Sequence, residues 1–180
     1  MTRQQAAEGL TVQHDALGIY LNDHFAGATL GADLARHVAS RHRRSVRSPL
    51  LERLAEEIAQ DRQVLLMIMD ELGVPVRRYK VCAGWVAERV RRLKPNGVLQ
   101  RHAGLDTVME FETLRLGIEG KSLLWLTLIA LAPQRPGLDT ARLQHLLDRA
   151  RQQRDAVEEL RLTAAVAVFA QPNTPTSLER

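Results

Sequence analysis

The sequence predicts an all-α fold, an antiparallel four-helix bundle, and three observations carry that prediction. Leu, Ala and Arg abound while aromatic residues make up only 4% of the chain, which suits helices packed by aliphatic side chains better than a sheet rich in β-branched and aromatic residues. Apolar residues recur at 3-4 spacing over four long stretches, the period of one helix face. The prolines fall between those stretches rather than inside them, where they end helices instead of kinking them. A chain of 180 residues, 45% hydrophobic and 26% charged, can bury one sizeable core and is short for two. One domain over 12–170 is expected, between a flexible polar stretch at 1–11 and a flexible tail at 171–180.

Helix one is expected from near Val12 to about His42, with a seam of Leu17, Leu21, His24, Ala28, Gly31, Ala35 and Val38; its small residues let a neighbouring helix approach closely. The basic run Arg41 to Arg47 makes the connection. Ser48 followed by Pro49 reads as an N-cap with proline at the first helical position. Helix two then carries Leu54, Ile58, Leu65, Ile68 and Leu72 to Gly73, with Pro75 beyond as C-terminal punctuation. From Val76 to Gly104 the pattern is least regular: a short helix over Val81–Leu93 would bury Trp85, Val86 and Val90 before Lys94-Pro95-Asn96-Gly97 breaks it. A crossover of that length lets the third helix lie parallel to the second. Helix three, from Asp106 to Ala132, has the seam Leu105, Met109, Glu112, Leu116, Glu119, Leu123, Leu126 and Ala130. Helix four, from Asp139 to Ala170, has Leu143, Leu146, Ala150, Gln153, Val157, Leu160, Ala164 and Ala167.

Polar residues inside these seams are the candidate site. On helix two Asp61 stands between Ile58 and Leu65 where an apolar residue is expected, and Glu57 lies one turn before it on the same face. Helix three places Glu112 and Glu119 seven residues apart; helix one contributes His24 and helix four Gln153. A buried carboxylate is costly unless a cation, a partner arginine or water meets it, and a metal ion is one such cation.

The stretches Tyr20-Leu21-Asn22-Asp23-His24-Phe25 and Leu54-Ala55-Glu56-Glu57-Ile58-Ala59-Gln60-Asp61, the latter leading to Asp70-Glu71-Leu72-Gly73, together with the helix order and the long crossover, resemble the ferritin-like superfamily over most of residues 15–168. The resemblance implies a four-helix bundle and a metal site of Glu57, Asp61, Glu112, Glu119 and His24, with iron or manganese as the implied cofactor. In that family a di-metal centre takes one Glu from each of two helices and a Glu-x-x-His from each of the others. Here the set is degenerate: helix one carries Ala28 and Thr29 where a glutamate belongs, and Glu158-Glu159-Leu160-Arg161 on helix four has no histidine at the needed step.

Each of these residues also has a plain structural reading. Glu57 and Asp61 can pair with Arg53 and Arg62, Glu112 and Glu119 with Arg115 or an arginine of helix four, and His24 can be a satisfied core histidine beside Tyr20 and Phe25. Cys82, the only cysteine, permits no internal disulfide; it reads as a small buried hydrophobe, and no nucleophile is evident. The N-terminus lacks the apolar run of a secretory signal, so a cytoplasmic location is expected. The longest apolar stretch, Leu123 to Pro133, falls short of the roughly 20 residues a membrane span needs, and no membrane partner is expected.

The net charge is +4 and the pI about 9.8. Basic clusters at Arg41 to Arg47, Arg77-Arg78-Tyr79-Lys80 and Arg89 to Lys94 with Arg101 could face an anionic partner. Neither helix-turn-helix spacing nor aromatic stacking platforms accompany them, which argues against nucleic acid. The tail Asn173 to Arg180 faintly resembles short docking peptides that bring ferritin-like cargo to a partner protein. Two functions stand: a ferritin-like bundle that is non-catalytic or weakly metal-binding, stress-related or self-associating as a homo-oligomer; and a di-metal carboxylate protein that binds or oxidises iron. The basic clusters leave an anion-binding role as a third.

Overall fold

The computed structural model describes residues 3–77 and 104–170, with side chains from residue 16 onward. These residues form four helices, α1 (Arg3–Arg41), α2 (Ser48–Glu71), α3 (Leu105–Leu131) and α4 (Thr140–Phe169), and a 3-10 turn, Ala132–Gln134, after α3; no strand occurs among them. The all-α class therefore stands. The helix expected over Val81–Leu93 and the tail from Gln171 lie outside the described residues.

The helix ends follow from local chemistry. α1 begins at Arg3, ahead of the start expected near Val12. At the entry to α2 the cap position is Arg47, without a side-chain cap bond. Ser48 is instead the first helical residue, with its hydroxyl donating to Glu52 Oε1 at 2.8 Å; Pro49 sits in the first turn, one position later than expected. α2 closes with Gly73 at φ 66°, Gly73 N–H donating to Asp70 O at 2.9 Å and Val74 N–H to Met69 O at 2.8 Å. That is the paired bonding by which a left-handed glycine satisfies the last carbonyls of a helix. α3 starts from Gly104 at φ 95°, and α4 from Asp139, whose carboxylate accepts from the backbone N–H of Ala141 and Arg142 at 2.9 and 3.2 Å.

α1 packs against α2 and α3, and α3 against α4. Side chains also join α2 to α4, where Arg142 Nη1 donates to Glu71 Oε1 at 2.9 Å. The core holds the expected residues of α2 (Leu54, Ile58, Leu65, Ile68) and of α4 (Leu143, Leu146, Ala150, Val157, Leu160, Ala164). Ala167, drawn into the same stripe, is exposed.

α3 departs from expectation. Its buried face is Val108, Phe111, Leu114, Ile118, Leu124, Trp125 and Leu128, whereas Leu116 and Leu123 of the expected seam are 51% and 54% exposed, and Met109 and Leu126 are also exposed. α3 is apolar on two sides, so two stripes compete for the interior. The winning stripe carries Phe111 and Trp125, each of which removes more apolar area from water than a leucine can. The span Leu105–Gln134 is long and apolar enough to cross a membrane by length and composition, and only 28% of its most apolar window is buried; this is the same doubled apolarity seen another way.

Candidate functional site

Asp61 is the most deeply buried acid of the described chain, 1% exposed, and three helices supply its surroundings. α2 sets Glu57 and Asp61 one turn apart, α4 sets Arg149 and Gln153 one turn apart at the same level, and α3 contributes Lys121. Lys121 Nζ donates to Asp61 Oδ2 at 2.5 Å and to Gln153 Oε1 at 2.6 Å. Arg149 Nη2 donates to Asp61 Oδ1, and Arg149 Nη1 to Gln60 Oε1 at 3.4 Å. The Gln153 amide completes the set, its Nε2 donating to Glu57 Oε2 at 3.1 Å and Asp61 Oδ2 at 3.3 Å. Arg53 approaches Glu57 at 3.8 Å from the rim.

The cluster is two carboxylates against two buried or half-buried cations, tied by one amide that accepts on one side and donates on the other. Burial pushes the Lys121 ammonium below its ordinary value; Asp61, by charge and hydrogen bond, opposes that shift, Arg149 adds to it, and Glu57 opposes it again. A buried charge survives when its partner and its remaining hydrogen bonds are in place, and Asp61 has both.

The other sequence-selected residues lie elsewhere. Glu112 and Glu119 line the outer seam between α3 and α4, each with a 43% exposed side chain, facing Arg161 at 3.5 Å and Arg154 at 3.7 Å. They belong with a surface ladder that includes Glu158, which is ion-paired with Arg161 at 2.7 Å and Arg115 at 2.9 Å. His24 packs on Tyr20, ring centroids 4.4 Å apart. Burial lowers its pKa, against an opposing pull from Asp23. Glu57 and Asp61 are thus brought together with Gln153, while Glu112 and Glu119 keep to a separate surface. His24 and Asp61 share only the wall of a groove between α1 and α3.

A second buried acid escaped the sequence reading. Glu110 sits at the α1–α3 contact with Arg41 Nη1 donating to its Oε1 at 2.5 Å, and its other oxygen has no hydrogen-bond partner. Arg41 also donates to Asp106; that bond leads the causes that raise the Arg41 pKa. At Asp106 burial is the largest effect and acts upward, yet the bond and charge of Arg41 outweigh it and the pKa falls. Arg41 is therefore engaged by two acids at the edge of the core, and Arg43 and Arg44 are further exposed cations of that basic run. Lys121 was missed for the same reason as Glu110: both lie on the stripe of α3 that was not chosen, where Leu114, Ile118, Lys121, Trp125 and Leu128 follow at 4-3-4-3 spacing.

The described residues do not assemble a di-metal centre. Both Asp61 oxygens are held by cations of the chain, Glu112 and Glu119 face α4 arginines, and among the described residues no three His, Cys, Asp or Glu side chains converge as a metal site. Compared with known families, curated proteins and solved structures, the chain matches none.

Proposed function

We propose that the chain is a ferritin-like four-helix bundle without catalytic activity, in which cations of its own helices neutralise the acids that metal ions neutralise in that fold. The observation that carries this reading is the double engagement of Asp61 by Lys121 and Arg149, with Gln153 bridging to Glu57. A carboxylate so held has no oxygen free for a metal without first displacing a lysine or an arginine.

The pairing of side chains supports the antiparallel arrangement. Between α1 and α2, Arg62 Nε donates to Thr29 while Asn22 reaches Pro75. Between α1 and α3, Tyr20 meets Thr127 and Arg41 meets Asp106. Between α3 and α4, Glu119 faces Arg154 and Glu112 faces Arg161; between α2 and α4, Glu71 faces Arg142 and Glu57 faces Gln153. In every pair the numbers rise on one helix as they fall on the other. α2 and α3 then run the same way, which calls for a crossover between them.

The role that follows is binding or self-association rather than turnover. Its test is metal stoichiometry after aerobic purification with iron. We expect less than about one tightly held ion per chain, unchanged by Glu112→Ala with Glu119→Ala. One or more tightly held ions per chain that disappear in Asp61→Asn would overturn the proposal in favour of the di-metal carboxylate reading.

A further inference from the structure

A groove of about 700 Å³ opens between α1 and α3 and reaches down to Ile58, Asp61 and Leu65 of α2. Glycines keep both banks low: Gly27 and Gly31 on α1, Gly117 and Gly120 on α3, where an added Cβ meets no described atom within 4 Å. A concave, mostly apolar space of this size suits a small-molecule ligand, provided that a few polar groups fix its orientation.

The two ends of the groove differ in chemistry. Tyr20 meets Thr127 and Arg41 meets Asp106, and these pairs fix the register of α3 on α1. Lys121 and Trp125 fall level with the His24 turn of α1, and Thr113 to Gly117 fall level with Leu30 to Leu34. The Arg62 guanidinium lies over the Phe25 ring, 4.6 Å from its centroid, which places it at the His24 end. His24, Arg62, Lys121 and Trp125 therefore share one end, while Leu30, Leu34, Leu114 and Leu116 line the other. From Asp23 to Leu34 the groove follows α1 for about 16 Å at the helical rise.

The polar end has donors to spare. Arg62 gives its Nε–H to Thr29 Oγ1 at 2.9 Å, and among the described residues no carboxylate forms an ion pair with it. Lys121 spends two of its three ammonium protons, on Asp61 and Gln153. Trp125 is fully buried, and its indole N–H has no acceptor. On the acceptor side, Lys121 and Arg149 occupy both Asp61 oxygens, and Asp23 stands exposed on the rim. Unused N–H groups beside an unneutralised guanidinium call for a monoanion that only accepts hydrogen bonds. A carboxylate is such a group, and it meets a guanidinium through two parallel bonds.

We propose that the groove binds a free aliphatic monocarboxylate, its carboxylate held by Arg62 and its tail lying along Leu30, Leu34 and Leu116. The floor of the groove, at Asp61 and Lys121, has side chains only 1% and 12% exposed, a depth that a single aliphatic chain reaches and a bilayer surface does not. This goes beyond the ionic reading of Asp61 by naming a ligand class. Ligand uptake and iron stoichiometry are separate measurements, so either reading can fail alone.

Dodecanoate is the probe, titrated calorimetrically into the intact chain below its micelle-forming concentration, and saturable uptake at a single site per chain is expected. Dodecanol and dodecylammonium carry the same tail and should bind at least about tenfold more weakly, because the charge-assisted bonds to Arg62 are lost; acetate, the head alone, should give no heat of binding. Arg62→Gln should weaken dodecanoate by a similar factor and narrow the gap between it and dodecanol. Gly31→Leu fills the groove from α1 and Gly117→Leu from α3, at helical positions where leucine is favoured over glycine. Helical circular dichroism should therefore persist while dodecanoate binding is lost. Should a leucine variant lose its helicity, the other variant, Arg62→Gln and the dodecanol comparison decide. Absence of saturable uptake, dodecanol binding as tightly as dodecanoate, or uptake that survives both leucine substitutions overturns the proposal. A ligand-free dimer that Gly31→Leu dissociates assigns the groove to a second copy, and phosphatidylcholine vesicles bound by the parent but not by Gly31→Leu assign it to a bilayer; both overturn it.

Discussion

Replacing Asp61 by alanine removes the anion at the centre of the ionic cluster and leaves its cations behind. Lys121 Nζ would keep only Gln153 Oε1 of its two bonds, and the nearest remaining carboxylate, Glu57, reaches the cluster through the same glutamine. Deleting one partner of a buried pair costs about 3–5 kcal/mol, because the other charge stays desolvated. The lost side-chain volume is small and adds little. Arg149 moderates the cost, since its side chain is 20% exposed and can turn toward Gln60 and water. We expect about 3–4 kcal/mol in urea unfolding followed by helical circular dichroism. At roughly 2–4 °C per kcal/mol for a chain of this size, Tm should fall by about 6–16 °C. Removing both charges, Asp61→Leu with Lys121→Met, should restore most of that loss or exceed the parent, because a packed apolar pair replaces an ion pair without stranding either charge. A loss below about 1 kcal/mol for Asp61→Ala, or a double variant as unstable as the sum of its singles, would refute the coupling.

Gly104→Ala should destabilise by about 1–3 kcal/mol, since the residue holds φ 95° and the new Cβ would lie 2.8 Å from Val168 Cγ2; an unchanged melting curve would contradict that start of α3. Leu65→Ala should cost about 2–5 kcal/mol as a buried truncation, and Leu123→Ala less than about 1 kcal/mol as a surface one; equal costs by denaturant titration would contradict the assigned faces. The depressed Lys121 pKa makes stability rise with pH: the folded chain releases this proton before the unfolded one, whose lysine holds it up to 10.5, so the gain accrues as pH climbs toward that value. Lys121→Met should flatten the rise in denaturant midpoint. His24 behaves likewise at lower pH, because the unfolded chain takes up a proton below 6.5 that the buried ring resists, so acidification through that range lowers stability and His24→Gln should weaken the trend.

How much was legible in the sequence varied by helix, for a physical reason. On α2 and along most of α4 the inward stripe is the one the spacing marks, so Leu65, Ile68, Leu143 and Val157 could be placed inward from spacing alone, and Asp61 and Gln153 were found as polar residues within those stripes. α3 offers two stripes, and spacing cannot rank them. Side-chain size could have done so: the stripe with Phe111 and Trp125 has more to gain from burial than the one with Met109, Leu116 and Leu123. Choosing the other stripe moved Glu112 and Glu119 inward on paper and hid Lys121 and Glu110, so half of the site was legible and the half that neutralises it was not. Helix ends were clearest where a glycine or an aspartate serves the backbone, at Gly73 and Asp139, and obscured at Ser48, whose hydroxyl bonds Glu52 instead of capping.

The buried acid shows why a ligand set cannot be read from acids alone. A carboxylate on an inner helix face can be neutralised by a proton, by a metal or by a cation on a neighbouring helix, and its own sequence context is the same in all three cases. What differs is the residue that other helices bring to its level. Here α3 brings Lys121 from within a stripe of apolar neighbours, Ile118 and Trp125, and α4 brings Arg149 from the edge of its buried face, one turn from Leu146 and Gln153. A long cationic side chain in such a place is as costly to bury as the acid itself. Two charges of opposite sign, each unexplained in its own stripe, are therefore jointly explained by meeting. Gln153 fits the same logic: an amide can accept from the lysine and donate to both carboxylates at once, a combination open to neither an acid nor an apolar residue at that position.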